Sequence, residues 1–389
     1  MTYHNLQKLV AKIAKRLACL ASSFLKPITI FKWTGIFPFV EVSGREIYVI
    51  PYKYEEQPPL GLDHPRSIRV DSTWTPNPFD EVVMSHMLEI EDGFASHDGY
   101  VFDKTGRLVR QGIHKYRNKI KRAHLLFPHK IFPNIRRFDK EIAIVTASNQ
   151  YFYWHWLFDI LPRLLMLEHM EKCTEKIYIQ KRFPFQRETL ALLGILSDER
   201  IIDCDQIPII SATRLVIPCH QIAAGREFPN WVCQVLRERF LSHASDKQNF
   251  MGRRIYVSRE AARFRRVLNE GEIIDLLKQY GFSLVRLENL AFTEQVKLFR
   301  DAEVVVGASG SGLANLVFCS KGTKVIELFP TSTADANFRL SRTLNLDYYY
   351  LTDPDSKLVA WGYDDYFVND IRIVPKELRE ILHLAGISG

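Results

Sequence analysis

The sequence predicts an α/β protein organised as two α/β halves. Three observations carry this. The chain has 389 residues, more than one ordinary hydrophobic core organises and enough for two. From about residue 141 onward, short apolar runs alternate with amphipathic segments of helical period. One of those runs, near residue 303, feeds a glycine-serine turn that opens a helix. Strand–helix–strand units of this length demand right-handed crossovers and parallel sheets.

Composition narrows the field. A hydrophobic share of 47% with 25% charged residues is globular and excludes a collagenous, coiled-coil or disordered chain. The net charge of +7 is mild for the length and does not point to nucleic acid. The charge is uneven, however. Residues 104–140 hold twelve Lys or Arg and one Asp, a basic stretch suited to phosphates or lipid headgroups. None of the six cysteines forms a C-x-x-C pair, so zinc-ribbon and thioredoxin motifs are excluded and buried free thiols are expected. No apolar run reaches transmembrane length, and the amino terminus lacks secretory-signal form. A cytoplasmic protein, soluble or peripheral on the inner face of the membrane, is expected.

Taken in order, residues 1–39 form a first segment. Leu6, Leu9, Val10, Ile13, Leu17, Leu20 and Phe24 share one helical face, with Lys8, Lys12 and Lys15 elsewhere. Such a helix lies in an anionic membrane interface or packs on the protein's own body. Residues 40–245 form the first α/β half. It starts with short strands near 46–51, 67–70 and 100–101, then gives a buried strand at 141–147. A helix follows at 161–170, with Pro162 in its first turn. Next come a strand at 176–179, a helix at 187–193, a strand at 215–218 and a helix at 231–240. The polar stretch 242–249 reads as the linker. The second half, 250–389, alternates more cleanly: strands at 254–258, 283–287, 303–306 and 324–328, and helices at 270–280, 293–300, 313–319 and 374–384. Gly281 is placed to cap the first of these helices.

Four features carry chemistry. Gly307, Ser309, Gly310, Ser311 and Gly312 lie between a buried strand and a helix. There the N–H groups of residues 310–313, Leu313 included, can approach an anion. The spacing G-x-x-G-x-G differs from the dinucleotide fingerprint, which weakens a nicotinamide reading. Tight helix-on-strand packing is the alternative. Arg259, just past a strand of the same sheet, offers a planar permanent charge for a pyrophosphate, while Arg263, Arg265 and Arg266 stay unassigned. Glu327 ends the next strand, where a carboxylate accepts ribose hydroxyls or merely faces solvent. His155 and Asp159 are four apart and share a helix face; such a couple removes a proton from a hydroxyl, or the segment is an aromatic-packed helix start.

These residues resemble glycosyltransferase family 61. Residues 149–163 are similar to its N-x-x-x-x-x-H-W-x-x-D-x-L-P-R segment. Residues 254–259 with Asn269 and Glu270 resemble R-x-Y-x-S-R…N-E, and residues 292–298 resemble F-x-E-Q-V-x-L. Residues 307–315 with 325–330 resemble G-x-H-G-A-G-L-x-N…V-I-E-x-x-P. Ser309 stands where many members carry His, so the turn is retained without an imidazole. The resemblance implies two Rossmann-like domains facing a cleft, the GT-B type, with the last helix crossing back to the first. It also implies an inverting transfer from a UDP-type nucleotide sugar to a glycan or polysaccharide hydroxyl, with Asn315 in the donor site and no metal or other cofactor required. Either His155, whose pKa near 6.5 needs little tuning, or Asp159, raised from about 3.9 by burial, would be the base. The rival readings are a metal-dependent GT-A transferase using Asp203–Asp205 or Asp353–Asp355 as its Asp-x-Asp, a non-catalytic nucleotide- or polysaccharide-binding module at the membrane, and a dehydrogenase.

Overall fold

The structure, a computed structural model, describes residues 47–48, 86–104, 109, 135–169, 174–196, 199–220, 228–244, 252–330, 336–353 and 369–389. The amino-terminal helix, the strand near 67–70, most of the basic stretch and most of the expected linker lie outside the described residues. Among the described residues no helix is long and apolar enough to cross a membrane.

The first sheet has eight strands: β1 (Ile47–Tyr48), β2 (His86–Glu91), β3 (Phe94–Ser96), β4 (Val101–Phe102), β5 (Ile135–Ile144), β6 (Lys176–Ile179), β7 (Ile201–Asp203) and β8 (Ile209–Cys219). Its main order is β1-β2-β8-β5-β6-β7, with β3 paired to β4 and β8. The centre β8-β5-β6-β7 is parallel. The flanking strands β2 and β3 run antiparallel to β8. The sequence expectation of a short strand at 215–218 misses more than half of β8. Arg214 and Thr213 interrupt its apolar run, and both lie exposed on it. Where the basic stretch runs along β5, two of its charges are engaged: Arg137 pairs with Asp92 and Asp139, and Lys140 with Glu175.

The second sheet is wholly parallel: β9 (Arg254–Val257), β10 (Ser283–Val285), β11 (Val304–Ala308), β12 (Lys324–Phe329) and β13 (Asp347–Thr352). Its order β10-β9-β11-β12-β13 is a doubly wound arrangement whose strand order reverses between β9 and β11, and ligands of such sheets sit outside the carboxyl ends at that reversal. Its strands are buried on both faces. Val305 and Tyr348 point into one apolar cluster, while Val304, Val306 and Tyr349 point into another, which is why they read as continuous apolar runs.

The helices are α1 (Leu161–His169), α2 (Pro184–Leu192), α3 (Asn230–Phe240), α4 (Glu270–Gln279), α5 (Phe292–Asp301), α6 (Ala336–Thr343) and α7 (Pro375–Leu384). Gly281 has φ 75°, the left-handed value expected of the residue that ends α4. The final helix does not cross back: Leu378, Ile381 and Leu382 of α7 pack with Tyr256, Ile326 and Tyr349 of the second sheet. The two halves share one core. A single cluster joins Ala143, Ile179 and Val216 of the first sheet to Val257, Val305, Val325 and Tyr348 of the second, through residues of α1, α3 and α5. The four described cysteines, Cys204, Cys219, Cys233 and Cys319, are buried and form no disulfide.

Candidate active site

The strand β5 delivers the chain into a wound segment that is not a plain α-helix. One turn, Tyr153–His155, is followed by a π-helical stretch, Trp156–Ile160, and then by α1. Pro162 gives a local cause. It has no N–H, so the ordinary bond from residue 162 to the Phe158 carbonyl cannot form. The His220 ring hydrogen-bonds to that carbonyl instead. The sequence reading places Pro162 at a helix start. In the structure it lies just inside α1, with the wide turn absorbed upstream.

Within this segment His155 Nδ1 lies 2.7 Å from Asp159 Oδ2. The Asp159 side chain is 7% exposed and that of His155 18%, so the imidazole is the member of the pair that reaches outward. Behind Asp159 sits Arg163, fully buried. Its guanidinium donates to the Thr146 carbonyl at 3.1 Å and the His220 carbonyl at 3.3 Å. Burial pulls Arg163 down to about 10, while the Asp159 charge pulls the other way. His220 falls to about 4 through burial, with Asp159 opposing and Arg163 reinforcing. His220 is therefore neutral near pH 7, and the charge of Asp159 favours the cationic form of Arg163. Neither Arg163 nor His220 is assigned a role from sequence. The signal for Arg163 is its place four residues after Asp159; His220 has no local signal.

The glycine-serine run divides between strand and turn. Gly307 and Ala308 belong to β11, in register with Glu327 and Leu328 of β12. A Cβ on Gly307 would meet Leu313 and Val257 at 3.2 and 3.3 Å, and one on Gly312 would meet Leu287 at 2.9 Å, so both glycines permit close packing. Gly310 is different: its Cβ would lie 1.9 Å from Nη1 of Arg259. The guanidinium thus rests directly on the turn, at the reversal between β9 and β11. The Ser309 N–H is used by the Leu328 carbonyl and the Leu313 N–H by the Gly310 carbonyl. The helix expected at 313–319 is a 3-10 helix that the turn opens two residues earlier, Ser311–Phe318. The first N–H groups of such a helix have no partner within it.

Arg259 donates to the Phe264 carbonyl at 3.1 Å. Its pKa is lowered to about 10 by burial and by Arg265, with Glu288 offsetting in part. Arg265 is thus a second cation at the turn, one that sequence reasoning leaves unassigned. It holds φ 58°, a left-handed conformation uncommon outside glycine and found where surroundings enforce it. Of its neighbours, Arg266 is bound by Asp370 at 2.7 Å and Arg263 lies over the Phe264 ring.

Glu327 is sealed inside. Its Oε1 accepts from Asn337 at 2.7 Å and its Oε2 from the Tyr348 hydroxyl at 2.6 Å, and Ser309 also bonds to it. Burial pushes its pKa up to about 7 against those hydrogen bonds. With no exposed surface, this carboxylate braces the turn through Ser309 and does not offer itself to a ribose, a correction to the sequence expectation. Asn315 is likewise internal. Its Oδ1 accepts from the Tyr153 hydroxyl at 2.7 Å, and its Nδ2 donates to Gln295 Oε1 at 3.0 Å and the Gly312 carbonyl at 3.1 Å. Instead of facing a donor, it ties the turn to the segment that carries His155. Three further bonds cross the same way. Glu188 of α2 accepts the Phe292 N–H at the start of α5. Arg237 of α3 donates to the Val317 and Cys319 carbonyls at 2.8 and 2.7 Å, a cation at the carboxyl end of the 3-10 helix.

Of the Asp-x-Asp candidates, Asp355 lies outside the described residues, and the other three carboxylates are engaged locally. Asp203 accepts from the Asp205 N–H, and Asp205 accepts from Gln180. Asp353 accepts the Arg372 N–H. Among the described residues no three His, Cys, Asp or Glu side chains gather as a metal set.

Comparison with known proteins adds the following. The glycosyltransferase 61 family model matches residues 153–326, the stretch that contains both the His155 segment and the turn. Over 96 residues the chain is 30% identical to an EGF domain-specific O-linked N-acetylglucosamine transferase of Drosophila melanogaster, covering 24% of this chain and 18% of that protein. The protein so named from Rattus norvegicus is 24% identical over 145 residues, 36% of this chain and 26% of the relative. A protein O-linked-mannose beta-1,4-N-acetylglucosaminyltransferase 2 of Pan troglodytes is 33% identical over 101 residues, 25% of this chain and 17% of the relative. The matched stretches therefore span about a quarter or less of each of these relatives.

Proposed function

We propose that the chain, whose residues 153–326 match the glycosyltransferase 61 family model, is a member of that family and transfers a sugar, with inversion, from a UDP-type nucleotide sugar to a hydroxyl of a glycan acceptor. The observation that carries the reading is Arg259 lying on Gly310 beside Arg265. Two mutually repelling guanidinium groups at the carboxyl edge of a doubly wound sheet are relieved by an anion, and a diphosphate is the anion such an edge accommodates.

The chemistry follows from the residues. His155 accepts the acceptor's hydroxyl proton on Nε2, while Asp159 holds its Nδ1–H and offsets the imidazolium charge, as in a base fixed by a carboxylate. The freed oxygen attacks the anomeric carbon as the bond to the diphosphate oxygen breaks. Arg259, Arg265 and the N–H groups at the start of the 3-10 helix receive the charge on the departing group. Asp159 is too enclosed to meet an acceptor itself, which favours His155 as the base. The two sheets facing a common layer support a GT-B-type arrangement. A peripheral location on the cytoplasmic membrane face, held by the amino-terminal helix, completes the proposal.

UDP should raise the melting temperature in the presence of a chelator, and UDP-N-acetylglucosamine should be consumed. His155→Ala and Asp159→Asn should each cut turnover by about 10²–10⁴-fold and leave UDP stabilisation intact. Stabilisation that requires Mn²⁺ favours the GT-A reading, and binding with no turnover of any nucleotide sugar favours the non-catalytic module.

A further inference from the structure

Among the described residues, two large exposed apolar side chains stand together just ahead of His155. Tyr151 is 49% exposed and Phe152 47%. Their ring centroids are 4.2 Å apart at a 40° tilt, and the Phe152 ring is 6.2 Å from the His155 ring. Exposed aromatic rings forgo the burial that stabilises a core, and these two contribute little to either sheet.

The loop that presents them is firmly held. Gln150, buried, donates from Nε2 to the His97 carbonyl at 2.8 Å. Its own carbonyl accepts from Gln186 Nε2 at 3.0 Å. Backbone bonds from Gln150 to Ala147 and from Phe152 to Asn149 close the turn, and the Phe152 carbonyl accepts from Trp156. The loop is also packed against the β3–β4 turn, where Gly99 has φ 80° and a Cβ would meet the Thr146 carbonyl at 2.5 Å. The backbone that presents the two rings is therefore fixed before any ligand arrives, which lowers the ordering cost of binding to them.

The rim is polar. His97 Nε2 lies 3.0 Å from Asp98 Oδ1, and the Tyr151 hydroxyl pKa is raised by partial burial and, second, by the Asp98 charge. A purely apolar partner would bury that pair without compensation, and a phosphate would be repelled by Asp98. A pyranose ring satisfies both parts, with C–H faces for the aromatic rings and hydroxyl edges for the rim.

The geometry points to Tyr151 and Phe152 as a platform for the pyranose ring of the acceptor, placed so that one of its hydroxyls meets His155. This rests on the reading of His155 as the base. The platform supplies the orientation that an otherwise bimolecular attack lacks.

The test uses the full chain and saturation-transfer NMR with the methyl pyranosides of glucose, galactose, mannose and N-acetylglucosamine. At least one should bind, and Tyr151→Ala and Phe152→Ala should each weaken it about tenfold or more. Phe152→Trp should restore binding, and the UDP-induced melting shift should stay the same in every variant. The proposal is overturned if no pyranoside binds, if the alanine variants bind as the wild type does, or if they lose the UDP shift. It is also overturned if a serine-bearing EGF-type peptide, and no pyranoside, gives the contact at these rings. The two readings fail separately. Pyranoside binding that follows the aromatic pair without any nucleotide-sugar consumption keeps the platform and sinks the transferase. Turnover that depends on His155 while pyranosides ignore the pair does the reverse.

Discussion

Replacing Gly310 with alanine isolates the contact on which the donor site depends. A Cβ there would fall 1.9 Å from Arg259 Nη1 and 2.5 Å from Cζ. Ordinary contact begins near 3.5 Å, so the guanidinium must withdraw by roughly 1.5 Å. The backbone does not object, since φ 175° and ψ 171° are extended values open to any residue. The obstructing atoms end a flexible side chain, so the fold should change in stability by less than about 0.5 kcal/mol. Ligand binding should not be spared. A shift of that size breaks a charge-assisted hydrogen bond worth about 1.5–3 kcal/mol, which is about 10–150-fold in Kd. Calorimetric titration with UDP in chelator, on wild type and Gly310→Ala, measures this directly. Gly312→Ala is the control: its Cβ would crowd the Leu287 side chain at 2.9 Å and touch Val257 at 3.8 Å, with Arg259 not among its contacts, so it should cost stability and spare affinity. Unchanged UDP affinity in Gly310→Ala would refute the assignment of Arg259 to the diphosphate.

Three other outcomes are expected. Glu327 rises from 4.5 to about 7 in the folded protein; between those values the unfolded chain is ionised and the native state holds the proton, so stability is present below about pH 4.5 and falls as pH rises to about 7, by about 3 kcal/mol. Glu327→Gln should flatten that slope in denaturant unfolding at pH 5 and pH 8, and an equal slope in both proteins would place the titration elsewhere. Tyr153→Phe leaves the buried Asn315 Oδ1 without the Tyr153 donor and should cost about 1–3 kcal/mol in the same assay; a loss below 0.5 kcal/mol would mean the bond is not formed in solution. Deleting residues 1–26 should abolish salt-sensitive binding to anionic liposomes while keeping the UDP melting shift, and a truncated protein that misfolds would assign that helix to the core.

Periodicity and turn chemistry by themselves determined much of the second half. The strands at 254, 283, 303 and 324 were legible because both faces of a parallel sheet are buried, which writes each strand as a local apolar run. Gly281 and the glycine-serine turn were legible because backbone geometry demands those residue types locally. The His155–Asp159 couple was legible for the same reason, a four-residue spacing. Tertiary structure decided the rest. Whether Glu327 faces a ribose or an internal asparagine depends on Asn337 and Tyr348, which no local pattern attaches to it. That Asn315 meets Tyr153, 162 positions away, and that Arg265 stands beside Arg259 through a left-handed backbone, follow from packing alone. The partition between strand and turn at Gly307 is set by pairing with β12, and the widened turn before α1 by Pro162 together with His220 from the far end of β8. Local sequence specifies what a segment prefers to be; which side chains a buried charge meets is fixed only when distant strands come into register.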